Sequence, residues 1–186
     1  MRKINAMKKL TVSSLVFVAL ICFAAEVNAQ SSTDDFTGKI ETKFDQGKNE
    51  TELELTYIPV TTEKANMAIL DVSISFTGKK LTIKPDDVIV VLAVVNKKDH
   101  KYPDINEVTL NSGANKLGQV VMLNLDQRKY SGTEILETMG TRMKMEIFHK
   151  LATSKQAVTF KIAESTFTIE PATLAYLADF EKATNP

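Results

Sequence analysis

Eight consecutive residues at positions 88–95, VIVVLAVV, carry no polar side chain, and five of them are Val. A strand with one wet face alternates apolar and polar residues, whereas an unbroken apolar run has to be covered on both faces. The β-branched content favours a strand over a buried helical segment. Turn chemistry frames the run, with Pro85-Asp86-Asp87 before it and NKKDHKYPD at 96–104 after it. Residues 88–95 are therefore expected to form a central strand, the spine of the core.

Around this spine the hydrophobic period is mostly two. In ETELELTYI at 50–58, Leu53, Leu55 and Tyr57 alternate with Glu52, Glu54 and Thr56, which predicts a half-buried strand with a charged outer face. In AILDVSISF at 68–76, Leu70, Val72, Ile74 and Phe76 face one way, and Asp71, Ser73 and Ser75 the other. A turn at 77–80 should lead into a return strand carrying Leu81 and Ile83. Val108 and Leu110 mark a short strand, 111–118 a Gly/Asn loop, 119–126 another strand and 127–134 a loop. Residues 135–139 are ambiguous, and 142–148 alternate again with Met143, Met145 and Ile147 on one side.

The last forty residues read as core closure. A single helical turn is expected near 148–155. Val158, Phe160 and Ile162, then Phe167 and Ile169, form the two arms of a hairpin. A two-residue turn at Glu164-Ser165 would set Ile162 opposite Phe167 and Phe160 opposite Ile169. Pro171 suits the first turn of a helix. Beyond it Leu174, Leu177, Ala178 and Phe180 make an apolar stripe that should dock on the sheet. His149, beside this region, is expected to be a surface or capping residue.

The N-terminus has a different chemistry. Arg2, Lys3, Lys8 and Lys9 precede a mostly apolar run at 10–25, and Val27-Asn28-Ala29 places small residues three and one before Gln30. This is the pattern of a cleaved secretory signal over 1–29. The run is shorter than the roughly 18 residues of a membrane span, so no span is expected after cleavage. Residues 30–36 read as a loose leader, and 37–186 as a single domain. Cleavage removes four basic side chains and one acidic one from totals of 23 each, leaving a net charge near −3. That balance is no footprint for nucleic acid. Cleavage also removes Cys22, the single cysteine, so stability must come from burial rather than a disulfide. The signal and the absence of disulfides together suggest a secreted or periplasmic bacterial protein.

Motifs for chemistry are sparse. The chain has no G-x-S-x-G elbow, no Gly-rich phosphate loop and no zinc spacing, and only His100 and His149 as imidazoles. No catalytic residue, metal site or cofactor is assigned. Met139, Met143 and Met145 read as core filling, although Met clusters also make adaptable surfaces. With no Trp, Tyr102 and Tyr130 are the aromatics expected in loops. The best candidate ligand-binding loop is 96–104, where Asp99, His100, Tyr102 and Asp104 follow the spine; Lys97, Lys98 and Lys101 disfavour a cation there.

The pattern predicts a mainly β fold: an antiparallel two-sheet β-sandwich, immunoglobulin-like in the broad sense, with a short C-terminal helix, or alternatively a closed β-barrel. The expected function is that of an exported, non-enzymatic binding or interaction module for a protein or small-molecule ligand in the cell envelope or outside the cell. The alternatives are a structural envelope or assembly component, and a hydrolase using scattered acidic residues. Intact-mass measurement of the exported protein should show a chain beginning at Gln30; full-length protein recovered from membranes would overturn the signal reading.

Overall fold

The computed structural model describes residues 38–97 and 102–186. The expected signal and leader at 1–36 and the candidate residues Asp99 and His100 lie outside the described residues. Ten strands form one antiparallel sheet: β1 (Lys39–Asp45), β2 (Glu50–Pro59), β3 (Thr61–Thr62), β4 (Met67–Thr77), β5 (Asp87–Lys97), β6 (Ile105–Ser112), β7 (Asn115–Lys129), β8 (Glu134–Lys144), β9 (Val158–Ile162) and β10 (Ser165–Ile169). Among the described residues two helices, α1 (Met145–Ala152) and α2 (Pro171–Ala183), accompany the sheet. The spatial order is β1-β2-β4-β5-β8-β7-β6-β9-β10-β3.

The sheet curls into a half-barrel. Its curl follows from β3, which continues β2 past Val60 yet pairs with β10 at the far end of the order, Phe167 opposite Thr62 and Thr168 opposite Thr61. The mainly β, antiparallel expectation holds, as does the C-terminal helix. The separation into two sheets that a sandwich requires is not seen in the pairing, because the ladder runs unbroken through all ten strands.

β5 lies between β4 and β8. Val88, Val90, Leu92 and Val94 enter the core, and Val91, Ala93 and Val95 are also buried, so the spine is covered on both faces. On the outer face Leu125 lies across Gly140, where an added Cβ would come within 2.6 Å of Leu125 Cδ1. Gly140 sits opposite both Val91 and Leu123 in the neighbouring strands.

Several local expectations fail for identifiable reasons. Tyr57 does not share the inward face with Leu55: a bulge between Leu55 and Ile58, with Tyr57 at φ 59, a conformation more usual for Gly, hands the core position to Ile58. Residues 81–83 make no return strand, and Ile83 is 78% exposed. The predicted loop at 111–118 is a tight turn, with Gly113 at φ 57. The alternation at 142–148 stops at Lys144; Met145, Phe148, Leu151 and Ala152 instead recur at helical spacing and are the buried face of α1. The final hairpin turns at Ala163-Glu164, with Ala163 at φ 51, so Ser165 pairs with Ile162 and Phe167 with Phe160. The shift is by two residues, so every side chain keeps its face.

The helices complete the core. Pro171 opens α2, and Leu174, Leu177 and Phe180 are buried. Phe148 of α1 meets Phe180 edge-on, with ring centroids 6.0 Å apart. Phe160 and Phe167 stack at 5.3 Å. Met139, Met143 and Met145 are all core residues. Leu177→Ala should cost about 2–5 kcal/mol, because the side chain is fully buried. Chemical denaturation checks this, and an unchanged midpoint would show that α2 does not close the core.

Candidate functional site: the loop end of the half-barrel

Strand direction gathers several loops at one end. The C-terminal end of β5 pairs with the start of β8, Asn96 opposite Ile135, and Met67 at the start of β4 pairs with Val95. The connections 63–66, 130–133 and 163–164, together with Asn96 and Tyr102 on either side of 98–101, therefore share this end. Side chains tie them together: Asn66 Nδ2 donates to Glu134 Oε1 at 2.6 Å, and Lys64 Nζ lies 3.2 Å from Glu164 Oε2. α1, which follows the C-terminal end of β8, marks the opposite end.

Beneath these loops is a sealed polar cluster. Glu137 lies on the inward face of β8, the same parity as Met139, and is wholly buried. Its Oε2 accepts from Asn96 Nδ2 and its Oε1 from the Tyr102 backbone N–H, each at 2.9 Å. One carboxylate thus grips both sides of 98–101. The Tyr102 hydroxyl donates to Ser165 Oγ at 3.2 Å, Asn124 Nδ2 donates to the Tyr102 carbonyl at 3.3 Å, and burial pushes the phenol pKa up. Its ring packs 6.1 Å from that of Phe167. A buried carboxylate without donors would cost several kcal/mol, so these bonds fix the loop base as well as satisfying Glu137.

The four candidate binding residues separate. Asp99 and His100 lie outside the described residues. Tyr102 is an anchor inside the core, and its expected exposure in a loop is corrected: the chain has already turned inward to reach Glu137. Asp104 is exposed, and its carbonyl accepts the Asn124 N–H at 2.9 Å. Around the same end Met67, Ile105 and Tyr130 are exposed. A surface groove of about 460 Å³ is lined there by Gln127, Arg128, Lys129, Thr133, Glu134 and Ile135.

Two other places carry reactive groups. His149 Nδ1 lies 2.5 Å from Glu181 Oε1, joining α1 to α2. The imidazole is 58% exposed beside a groove formed by Lys84, Pro85, Asp86, Met145 and Glu146. This is a base with an orienting carboxylate, but the groove lining supplies neither hydroxyl nor thiol. The second place is the outer face of β2 and β4. Asp71 is buried, accepts the Tyr57 N–H at 2.8 Å, and has its pKa pushed up to about 6, mainly by burial, with the charge of Glu54 adding to it. Glu54, expected on a charged outer face, is also buried and lies 3.0 Å from Lys43 Nζ. None of the three surface grooves described among these residues is lined by Asp71 or Glu54.

Neither Glu137 nor Asp71 stands out in the sequence. The available signal was parity. If Met139 and Met143 face inward, so does Glu137, an acid at a core position of an otherwise apolar face.

Among the described residues no group of three or more His, Cys, Asp or Glu side chains could hold a metal ion, and no helix is long and apolar enough to cross a membrane. No protein-family model, curated protein or solved structure matches the chain.

The raised pKa of Asp71 sets a pH dependence. Its carboxyl is more easily protonated folded than unfolded, so its contribution is fully present below the unfolded value of 3.8 and is lost as pH rises through about 6. The loss amounts to about 3 kcal/mol. Asp71→Asn keeps an acceptor for the Tyr57 N–H and should be more stable than the parent at pH 7, with the difference vanishing near pH 4. Urea titrations at both pH values check this; equal gains at the two would show that desolvation of the charge is not the cause.

Proposed function

We propose that this chain is an exported, non-enzymatic binding module that works in the periplasm or outside a bacterial cell and recognises a protein or small-molecule ligand with its loop end. The observation that carries this reading is the bridging of Asn96 and Tyr102 by the buried Glu137. A solvated connection does not need a buried carboxylate at its base, whereas a recognition loop gains from being held still, because less order has to be imposed on binding. The exposed Met67, Ile105 and Tyr130 supply apolar and amphipathic contact area around it. Loops at one end of a β scaffold are also how immunoglobulin-like sandwiches bind, and that likeness supports the reading by analogy alone. A second reading, an envelope or assembly component, is favoured by the open edge of β1.

The test places a photo-crosslinking residue at His100 and, as a control, at Ala114 in the β6–β7 turn of the opposite end. Cells exporting either variant are irradiated, and adducts are read by intact mass. A discrete adduct from position 100 and none from position 114 is expected. Equal labelling from both, or none from either, would overturn the loop-end reading.

A further inference from the structure

Among the described residues β1 is hydrogen-bonded on one side only, to β2. Its other side is a seven-residue edge, a length that offers a partner strand a full set of backbone groups. The opposite edge of the sheet, β3, has two residues. Charged side chains are a usual protection for such edges. Their order on β1 makes the protection selective.

The sequence of β1 is KIETKFD. Lys39, Glu41, Lys43 and Asp45 project from one face with alternating sign, and Ile40, Thr42 and Phe44 from the other. When two copies of such a strand run antiparallel about Thr42, Lys39 stands opposite Asp45, Glu41 opposite Lys43, Ile40 opposite Phe44, and Thr42 opposite Thr42. All four charged pairs are attractive, and Phe44, which is 37% exposed, gains an apolar neighbour. This is the one antiparallel register that pairs all seven residues. A slip by two residues in either direction places Lys opposite Lys and acid opposite acid, and a slip by one places charges opposite apolar or uncharged side chains. In the single chain these charges already have partners: Lys39 lies 2.8 Å and Lys43 3.6 Å from Glu41, Lys43 is bonded to Glu54, and Asp45 lies 3.6 Å from Lys48 Nζ and accepts the Gly47 and Lys48 N–H groups.

We propose that β1 is a self-recognising edge, through which two copies of this chain pair antiparallel about Thr42 and extend one half-barrel sheet into the next. The proposal rests on the assembly reading of the edge and is independent of the loop end. A two-strand junction of this length is smaller than a standard protein interface, so the dimer is a weak one, with micromolar rather than nanomolar dissociation. Its ion pairs are solvent-facing, so salt weakens it.

Sedimentation of the exported protein across a concentration series should show a monomer–dimer equilibrium. Glu41→Lys sets Lys opposite Lys43 twice in the symmetric pair and should weaken the dimer about tenfold while leaving the thermal midpoint of the dilute protein unchanged. In a Cys22→Ser background, Thr42→Cys should be joined to a second copy by a short bismaleimide, whereas Thr77→Cys, exposed at the end of β4, should not. A chain that stays monomeric throughout, a dimer indifferent to Glu41→Lys, or equal crosslinking at positions 42 and 77 would each overturn the proposal.

Discussion

A single antiparallel sheet has two faces and two edges, and a chain without a disulfide has to keep one face dry by geometry alone. Here the geometry is the curl. β2 is hydrogen-bonded to β4, and two residues past its end the same chain, as β3, is hydrogen-bonded to β10. The strand order between them bends so that the inward residues of β4, β5, β8 and β6 meet those of β9 and β10 in one cluster. β5 makes this possible, since a strand that is apolar on both faces can lie at the centre of the bend without exposing a polar backbone or wetting the core. α1 and α2 then supply Phe148, Leu151, Leu174, Leu177 and Phe180 to the same cluster.

Two buried carboxyls show how differently the fold treats charge. Glu137 is at the core face, and two donors are aimed at it from either side of one loop. Asp71 is on the other face of the sheet, with one backbone donor and the like charge of Glu54 adding to the effect of its burial. The first carboxyl organises a segment, and substitution there would leave polar groups stranded. The second is a local strain whose removal leaves little unsatisfied. The bulge at Tyr57 belongs to the same account: its positive φ turns the N–H toward Asp71 and moves Ile58 into the core.

Long-period features were legible in the sequence, and short-range geometry was not. The run at 88–95, the inward set Leu70, Val72 and Ile74, and the stripe Leu174, Leu177 and Phe180 all express burial, which composition reports directly. The Tyr57 bulge, the turn at Ala163-Glu164 and the strand-to-helix switch at Met145 depend on backbone conformation at one residue. Ala163 and Tyr57 adopt left-handed φ values that neither residue type advertises. Met143, Met145 and Ile147 fit period two about as well as Met145, Phe148 and Leu151 fit period 3.6 over so short a stretch. At the candidate loop the position of Tyr102 was not legible. Tyr102 looked like an exposed aromatic because its neighbours are polar, and the partner that draws it inward, Glu137, is 35 residues away.

The two edges of the sheet complete the physical account. β3 is short, and an edge of two residues gives a foreign strand nothing to extend. β1 is long, and among the described residues nothing pairs with its far side, so the order of its charges bears on what approaches it. Charges of one sign would repel every copy of the same strand, and an uncharged edge would accept any. Alternating signs do neither, because repulsion then depends on register and direction. An antiparallel strand with its charges in the complementary order meets no like charge along its full length, and β1 itself satisfies that condition about Thr42. The two places differ in their physics: at the loop end a buried carboxylate holds Asn96 and Tyr102 from beneath, and at the edge the order of the surface charges sets which strand meets no like charge.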